Sequence, residues 1–157
     1  MYLKKQYLDS KFILDGQIVP NRWRYYAEME DIAVGKDINI FTNYTAWQDA
    51  KNRFTSNLFP VLTDEENEIS AIWDNIQNLT DIGILFAHAK AGIGYSTARI
   101  LREEYAYTGN IHALGEFGYD SLCFMHRCGI NAFHLHTMNL ADEALRYLQD
   151  IDFNYQR

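Results

Sequence analysis

The sequence predicts an α/β fold. About five βα units carry a mainly parallel sheet, open and doubly wound or partly barrel-like, and a small N-terminal β-hairpin precedes them. Three observations lead there. From Asp37 onward, short apolar runs alternate with stretches whose apolar residues recur at helical spacing, with short connections. Residues 82–87 are apolar on both faces, the pattern of a strand covered on both sides. Capping residues stand where the helices should begin and end.

The elements follow in order. Phe12-Ile13-Leu14, Asp15-Gly16 and Gln17-Ile18-Val19 form a hairpin, because Asp-Gly is the usual two-residue turn between strands. Pro20 and Asn21 end it. Residues 22–29 are rich in aromatics and fit helix or coil. Residues 38–41 make the first strand of the repeating part. A helix then opens at Thr45, with Gln48 completing a capping box. Residues 58–62 make the next strand, and Pro60, which lacks an N–H, predicts an edge position.

Thr63 and Glu66 form a second capping box, and Asp64 and Glu65 suit the positive end of a helix dipole. That helix carries Ile69, Ile72, Trp73, Ile76 and Leu79 at helical spacing. After the strand 82–87, a helix over 95–106 turns Ala98, Leu101 and Tyr105 inward. A strand over 111–115 and a helix over 119–128, closed by Gly129, come next. A strand over 132–136 and a helix over 140–150, capped by Asn139, complete the series. Residues 1–157 form one domain, with 1–36 as hairpin and aromatic-rich extension and 37–157 as βα repeats.

Composition narrows the function. The 157 residues are 48% apolar and 15% aromatic, eleven of them tyrosine, which fits core margins or a homo-oligomeric contact. A net charge of -7 opposes the basic footprint of nucleic-acid binding and opposes an anionic membrane surface. No apolar run approaches the ~20 residues that span a bilayer. The opening MYLKKQYLDSKFIL lacks the apolar stretch of a secretory signal. Cys123 and Cys128 fall roughly 140° apart on their helix and are not expected to pair. Together these features predict a cytoplasmic protein with reduced thiols.

Ligands in such folds bind at the carboxyl ends of the strands. The loops there hold Thr42 and Asn43; Thr63 and Asp64; His88, Lys90 and residues 92–96; Glu116 and Asp120; and His136. The segment HAKAGIGYST, 88–97, reads as a glycine-rich turn opening a helix near Tyr95. Backbone amides around Gly92, Gly94, Tyr95 and Ser96 would meet the positive helix end, with Lys90 adding charge, and hold an anion. Ordinary turn chemistry explains the same residues, with Ser96 as an N-cap.

Gly92-x-Gly94-x-x-Thr97 also approaches a dinucleotide fingerprint, with Glu116 placed as a ribose-binding acid. A nicotinamide dinucleotide is therefore one cofactor option, although threonine replaces the third glycine. His134 and His136 share a strand face and, with His88 and Glu116, could gather a metal. No metal motif accompanies them, and histidines at a strand's polar end explain them equally. No catalytic constellation is legible, so no residue is assigned a catalytic role.

The residues Gly94-Tyr95-Ser96, Ala98-Arg99, Leu101-Arg102, Gly109, Ala113, Gly115, Asp120, Leu122, Phe124-Met125, Arg127-Cys128-Gly129 and Ala132-Phe133 form a pattern. Phe153 and Tyr155 extend it at the end, and Leu14-Asp15-Gly16 and Trp23 near the start. It resembles the bacterial domain-of-unknown-function family numbered 934, densely over 82–155. Members carry an oxidoreductase label, and their genes neighbour those of assimilatory sulfite reductase. The resemblance implies a bacterial accessory protein of sulfur metabolism, with sulfite reductase components as partners. The alternative is a small-molecule anion- or nucleotide-binding protein, or an oxidoreductase, using the Gly92–Ser96 segment.

This chain departs from the family's Asp-Gly-Arg-Gly, which here is Ala91-Gly92-Ile93-Gly94. It also has His112-Ala113 for Arg-Ala, and Gly115-Glu116 for Gly-Asp. Lys90 could restore one positive charge from a neighbouring position.

Overall fold

The computed structural model describes residues 6–7, 11–26, 38–53, 57–86, 91–117, 119–134 and 146. The strands in chain order are β1 (Gln6–Tyr7), β2 (Lys11–Leu14), β3 (Gln17–Pro20), β4 (Trp23–Tyr25), β5 (Asn39–Asn43), β6 (Leu58–Leu62), β7 (Asp81–Phe86), β8 (Asn110–Gly115) and β9 (Ala132–Phe133). The helices are α1 (Tyr44–Ala50), α2 (Ile69–Ile76), α3 (Ala91–Glu103) and α4 (Leu122–Arg127). Asp15 and Gly16 both take positive φ, 51° and 79°, so the β2–β3 turn has the backbone that Asp-Gly favours.

The nine strands of the described residues join one sheet in the order β1-β4-β5-β6-β7-β8-β9-β2-β3. β4 through β9 are parallel and sequential, so the order never reverses as a doubly wound sheet requires. Of the two predicted arrangements, the structure has the barrel-like one, a curled half-barrel. The hairpin pairs antiparallel with β9, and β1 pairs antiparallel with β4.

The curl has a cause in the chain itself. β3 and β4 point the same way and only Asn21 and Arg22 separate them, yet they belong to opposite ends of the strand order. Three residue steps reach roughly 11 Å at most. The run from Gln17 to Tyr25 therefore draws the two ends of the sheet to a seam at Asn21.

Curling gives the sheet an inner and an outer face, each with its own core. Outside, Ile40, Leu62, Ile82, Ile84, Phe86 and Ile111 meet the helices through Trp47, Ile69, Ile76, Ala98, Leu101 and Met125. Inside, Phe12, Trp23, Tyr25, Phe41, Val61 and Leu114 pack on one another. Trp23 stacks on Phe41 at 4.1 Å between ring centroids. Gly83 makes this packing possible, because a Cβ there would lie 2.9 Å from Leu114 Cδ1 and 3.2 Å from Phe41 Cε1.

Several expectations are corrected. Asn43, not Thr45, caps α1: its Oδ1 accepts the Ala46 N–H at 2.8 Å. The Thr63–Glu66 capping box forms as expected, but it caps a 3-10 turn (Asp64–Glu66), and α2 starts at Ile69. Residues 23–25 of the ambiguous aromatic stretch are a strand.

Pro60 lies in an interior strand, not an edge. Ile40 N–H donates to Asn57 O, which sets the donors of β6 toward β5 at Phe59 and away from it at Pro60. The missing N–H thus faces β7, whose pairing with β6 begins only at Val61. The predicted helix over 140–150 and the strand beyond His134 lie outside the described residues, apart from Arg146.

Candidate functional site

The glycine-rich segment folds differently from its expected turn. α3 begins at Ala91, not near Tyr95, so Gly92 and Gly94 are helical. Only about the first four amides of a helix lack an internal acceptor. Those of Tyr95 and Ser96 fall to intrahelical bonds, four residues on from Ala91 and Gly92. Ser96 is not the cap; its Oγ donates back to Gly92 O at 3.1 Å.

Gly94 is buried against β7, where a Cβ would lie 2.7 Å from Phe86 Cε1. Its glycine serves close helix-on-strand packing. Gly92 is exposed, with nothing near its missing Cβ. Tyr95 packs between Phe86 at 5.2 Å and Phe124 at 4.8 Å, its ring tilted to both. Glu116 follows β8, its side chain exposed and its N–H donating to Phe86 O at 3.1 Å. Lys90, His88 and His136 lie outside the described residues.

A cleft of about 20 Å³ opens beside this helix, lined by Thr63, Asp64, Leu85, Ile93, Gly94 and Thr97. That volume takes about one water molecule, not a nucleotide. Nearby in sequence to the α1 cap, Thr42 Oγ1 is fully buried with no hydrogen-bond partner among the described residues.

The most connected polar group lies elsewhere, across the inner face. Asp81 opens β7, His112 lies on β8, and His134 follows β9. His112 Nε2 stands 2.7 Å from Asp81 Oδ1, and His112 Nδ1 stands 2.9 Å from His134 Nε2. His134 Nδ1 in turn meets Asn21 Nδ2 at 3.3 Å. Both imidazoles are buried and walled by rings: Phe12 stacks on His134 at 4.6 Å, and Trp23 and Phe41 approach His112 at 4.7 and 5.0 Å.

The ends of this chain fix its direction. Asn21 Oδ1 accepts the Trp23 N–H at 2.9 Å, so the amide presents Nδ2 as donor to His134. Asp81 accepts only. Two neutral imidazoles, each protonated on Nε2, satisfy every link from Asn21 through His134 and His112 to Asp81. Burial pushes His112 below its ordinary pKa and His134 well below it, where His112 adds to the effect. Burial alone would raise Asp81, but hydrogen bonds from His112, Asn110 and Thr80 hold it below its usual value.

A second hub continues the network. Asn131 Nδ2 donates to Asp15 Oδ1 and Asn110 Oδ1, both at 2.9 Å, and its Oδ1 accepts the Ile111 N–H. Arg102 donates to Gly129 O, Tyr107 O, Gly109 O and Asn131 Oδ1. The hairpin turn, the seam and the starts of β7, β8 and β9 are thereby tied together.

Sequence reading singled out His134 but not His112, Asp81 or Asn21. One signal was available: His112 and Asp81 interrupt otherwise apolar strands. The two cysteines are unpaired, as expected. Arg99 donates to Cys128 Sγ at 3.8 Å, yet burial keeps that thiol above its ordinary pKa. Among the described residues no three His, Cys, Asp or Glu side chains gather as a metal cluster, and no helix is long and apolar enough to cross a membrane.

Fold and site together define a curled α/β protein of sequential parallel strands, clasped from inside by a buried polar chain. The family described as bacterial protein of unknown function (DUF934) matches residues 60–157, and the chain belongs to it. Among curated proteins and among solved structures, none matches.

Proposed function

We propose that the chain is a cytoplasmic accessory protein of sulfur metabolism that binds a component of assimilatory sulfite reductase and performs no chemistry of its own. The sulfur assignment follows the gene neighbourhood of the family. The observation that favours docking is Phe124, 46% exposed on α4, with Tyr95 of α3 packed against it. An aromatic held in place at the surface is a usual anchor of protein contacts. The interior of the curled sheet supports the same reading, since aromatic side chains fill the space in which a larger barrel would hold a ligand.

Co-purification from the source bacterium with the tagged protein and its Phe124→Glu variant tests this. The reading expects sulfite reductase subunits with the wild type and a loss of at least tenfold with the variant. Absence of those subunits from the wild-type eluate contradicts it.

A second reading keeps a small-anion or nucleotide-binding role, with or without redox chemistry, for Lys90, Gly92, Gly94, Tyr95, Ser96 and Glu116. The N-terminal turn of the 13-residue α3, which follows the carboxyl end of β7, favours it. Asp64 on the wall of the adjoining cleft opposes it, being of the wrong sign for an anion. Calorimetric titration with sulfite, sulfate and NADPH separates the readings. Saturable binding that weakens at high salt supports the second; no heat from any of the three removes it.

A further inference from the structure

The seam at Asn21 is held by a hydrogen-bond chain with no room for another proton. Its donor end is set by Asn21 and its acceptor end by Asp81. A proton added to His134 Nδ1 would face the Asn21 N–H. One added to His112 Nδ1 would face the His134 N–H. Either way one link turns from attraction to repulsion, and two protons would place two imidazolium rings side by side with centroids 5.1 Å apart.

We propose that the Asp81–His112–His134–Asn21 chain is a pH-sensitive clasp, and that acidification frees the N-terminal hairpin and opens the aromatic interior of the curled sheet.

The surroundings support release over accommodation. Among the described residues, the groups facing the pair are Phe12 from β2, Asn21 from the β3–β4 link, Trp23 from β4, Phe41 from β5 and Asp81 from β7. Asp81 is the one carboxylate among them, and it is already engaged by His112, Asn110 and Thr80. Tyr107 and Arg102 lie beyond it, and both are held by carbonyl oxygens.

On the hairpin's side of the seam the backbone ladder between described residues is short. Among the described residues β9 pairs with β2 at Ile13↔Phe133 and Leu14↔Ala132. Losing the Asn21 link and the Phe12–His134 stack leaves that ladder, the two Asp15–Asn131 hydrogen bonds and the packing of Phe12 and Ile13 in the inner and outer cores.

The sign follows from the shifts. Free imidazole takes up its proton near 6.5, while burial lowers both rings below that value in the closed protein. The open form therefore binds more protons, and opening becomes easier by about tenfold per pH unit below 6.5 for each proton taken up. The clasp is complete above that value and weakens as pH falls.

Hydrogen exchange read by mass spectrometry on the whole chain, between pH 8 and 5, tests the clasp after correction for intrinsic exchange. Protection over 11–25 should fall at least tenfold from pH 6.5 to 5.5 while protection over 91–103 stays constant. In His112→Gln/His134→Gln the pH dependence over 11–25 should vanish. If that variant fails to fold, Asn21→Ala in its place should leave 11–25 exchanging fast already at pH 8. Protection over 11–25 that is independent of pH in the wild type, or that falls only together with 91–103, overturns the proposal.

Discussion

His112 Nδ1 and His134 Nε2 face each other at 2.9 Å inside a wall of aromatic rings, between a carboxylate that can only accept and an amide oriented to donate. This contact joins β8 to the residue after β9, and through Asn21 it joins them to the link between the two sheet ends. A buried polar chain of this kind is worth keeping only when every member is satisfied. Here each is.

Asp81→Asn should lower stability at pH 7.5 by about 2 kcal/mol, because it removes the charged acceptor at one end of a buried chain. Asp81 is held below its ordinary 3.8, so its contribution is present above that value and fades as pH falls through the lower, folded one. Urea denaturation of both proteins at pH 7.5, 5 and 3.5 checks this. The difference should persist at the first two and shrink at the third.

Thr42→Val should leave stability unchanged or raise it by up to about 1 kcal/mol. The hydroxyl is buried without a partner among the described residues, so the wild type already carries its desolvation cost. A loss above about 1 kcal/mol in the urea midpoint would mean that the hydroxyl is used.

Gly92→Ala and Gly94→Ala should have opposite signs. Gly92 is exposed in the first turn of α3 with open space at its Cβ, so alanine should add about 0.5 kcal/mol of helix stability. Gly94 faces the Phe86 ring, so alanine there should cost about 1–3 kcal/mol through forced repacking. Thermal unfolding of the pair reads both. Equal effects would contradict the helical placement of the two glycines.

Arg102→Lys should cost on the order of 2–3 kcal/mol. The guanidinium reaches four acceptors on two segments, a spread that one ammonium cannot match. Guanidinium denaturation of the variant measures the loss, and a shift below about 0.5 kcal/mol would contradict the hub.

Local chemistry made much of the fold legible. Asp15-Gly16 dictates its turn, Gly129 takes φ 105° to end α4, and Thr63 and Glu66 cap as their spacing requires. Strand order was not legible, because it is set by where chain ends meet and not by any window of residues. Pro60 misled for the same reason: its tolerance depends on where β7 starts to pair, which only the register reveals. The glycines at 92 and 94 misled because the same residue that frees a turn also lets a helix approach a strand. The clasp hid because its members are 21, 81, 112 and 134, and only the curl brings them together.

The central claim is that the seam is closed by a directed chain of two neutral histidines. Nitrogen-15 NMR of the two imidazoles at pH 7.5 reads it directly. Both should be neutral and protonated on Nε2, with a coupling across the hydrogen bond between His134 Nε2 and His112 Nδ1. Either ring in the Nδ1-protonated form, or as imidazolium at that pH, would contradict the account.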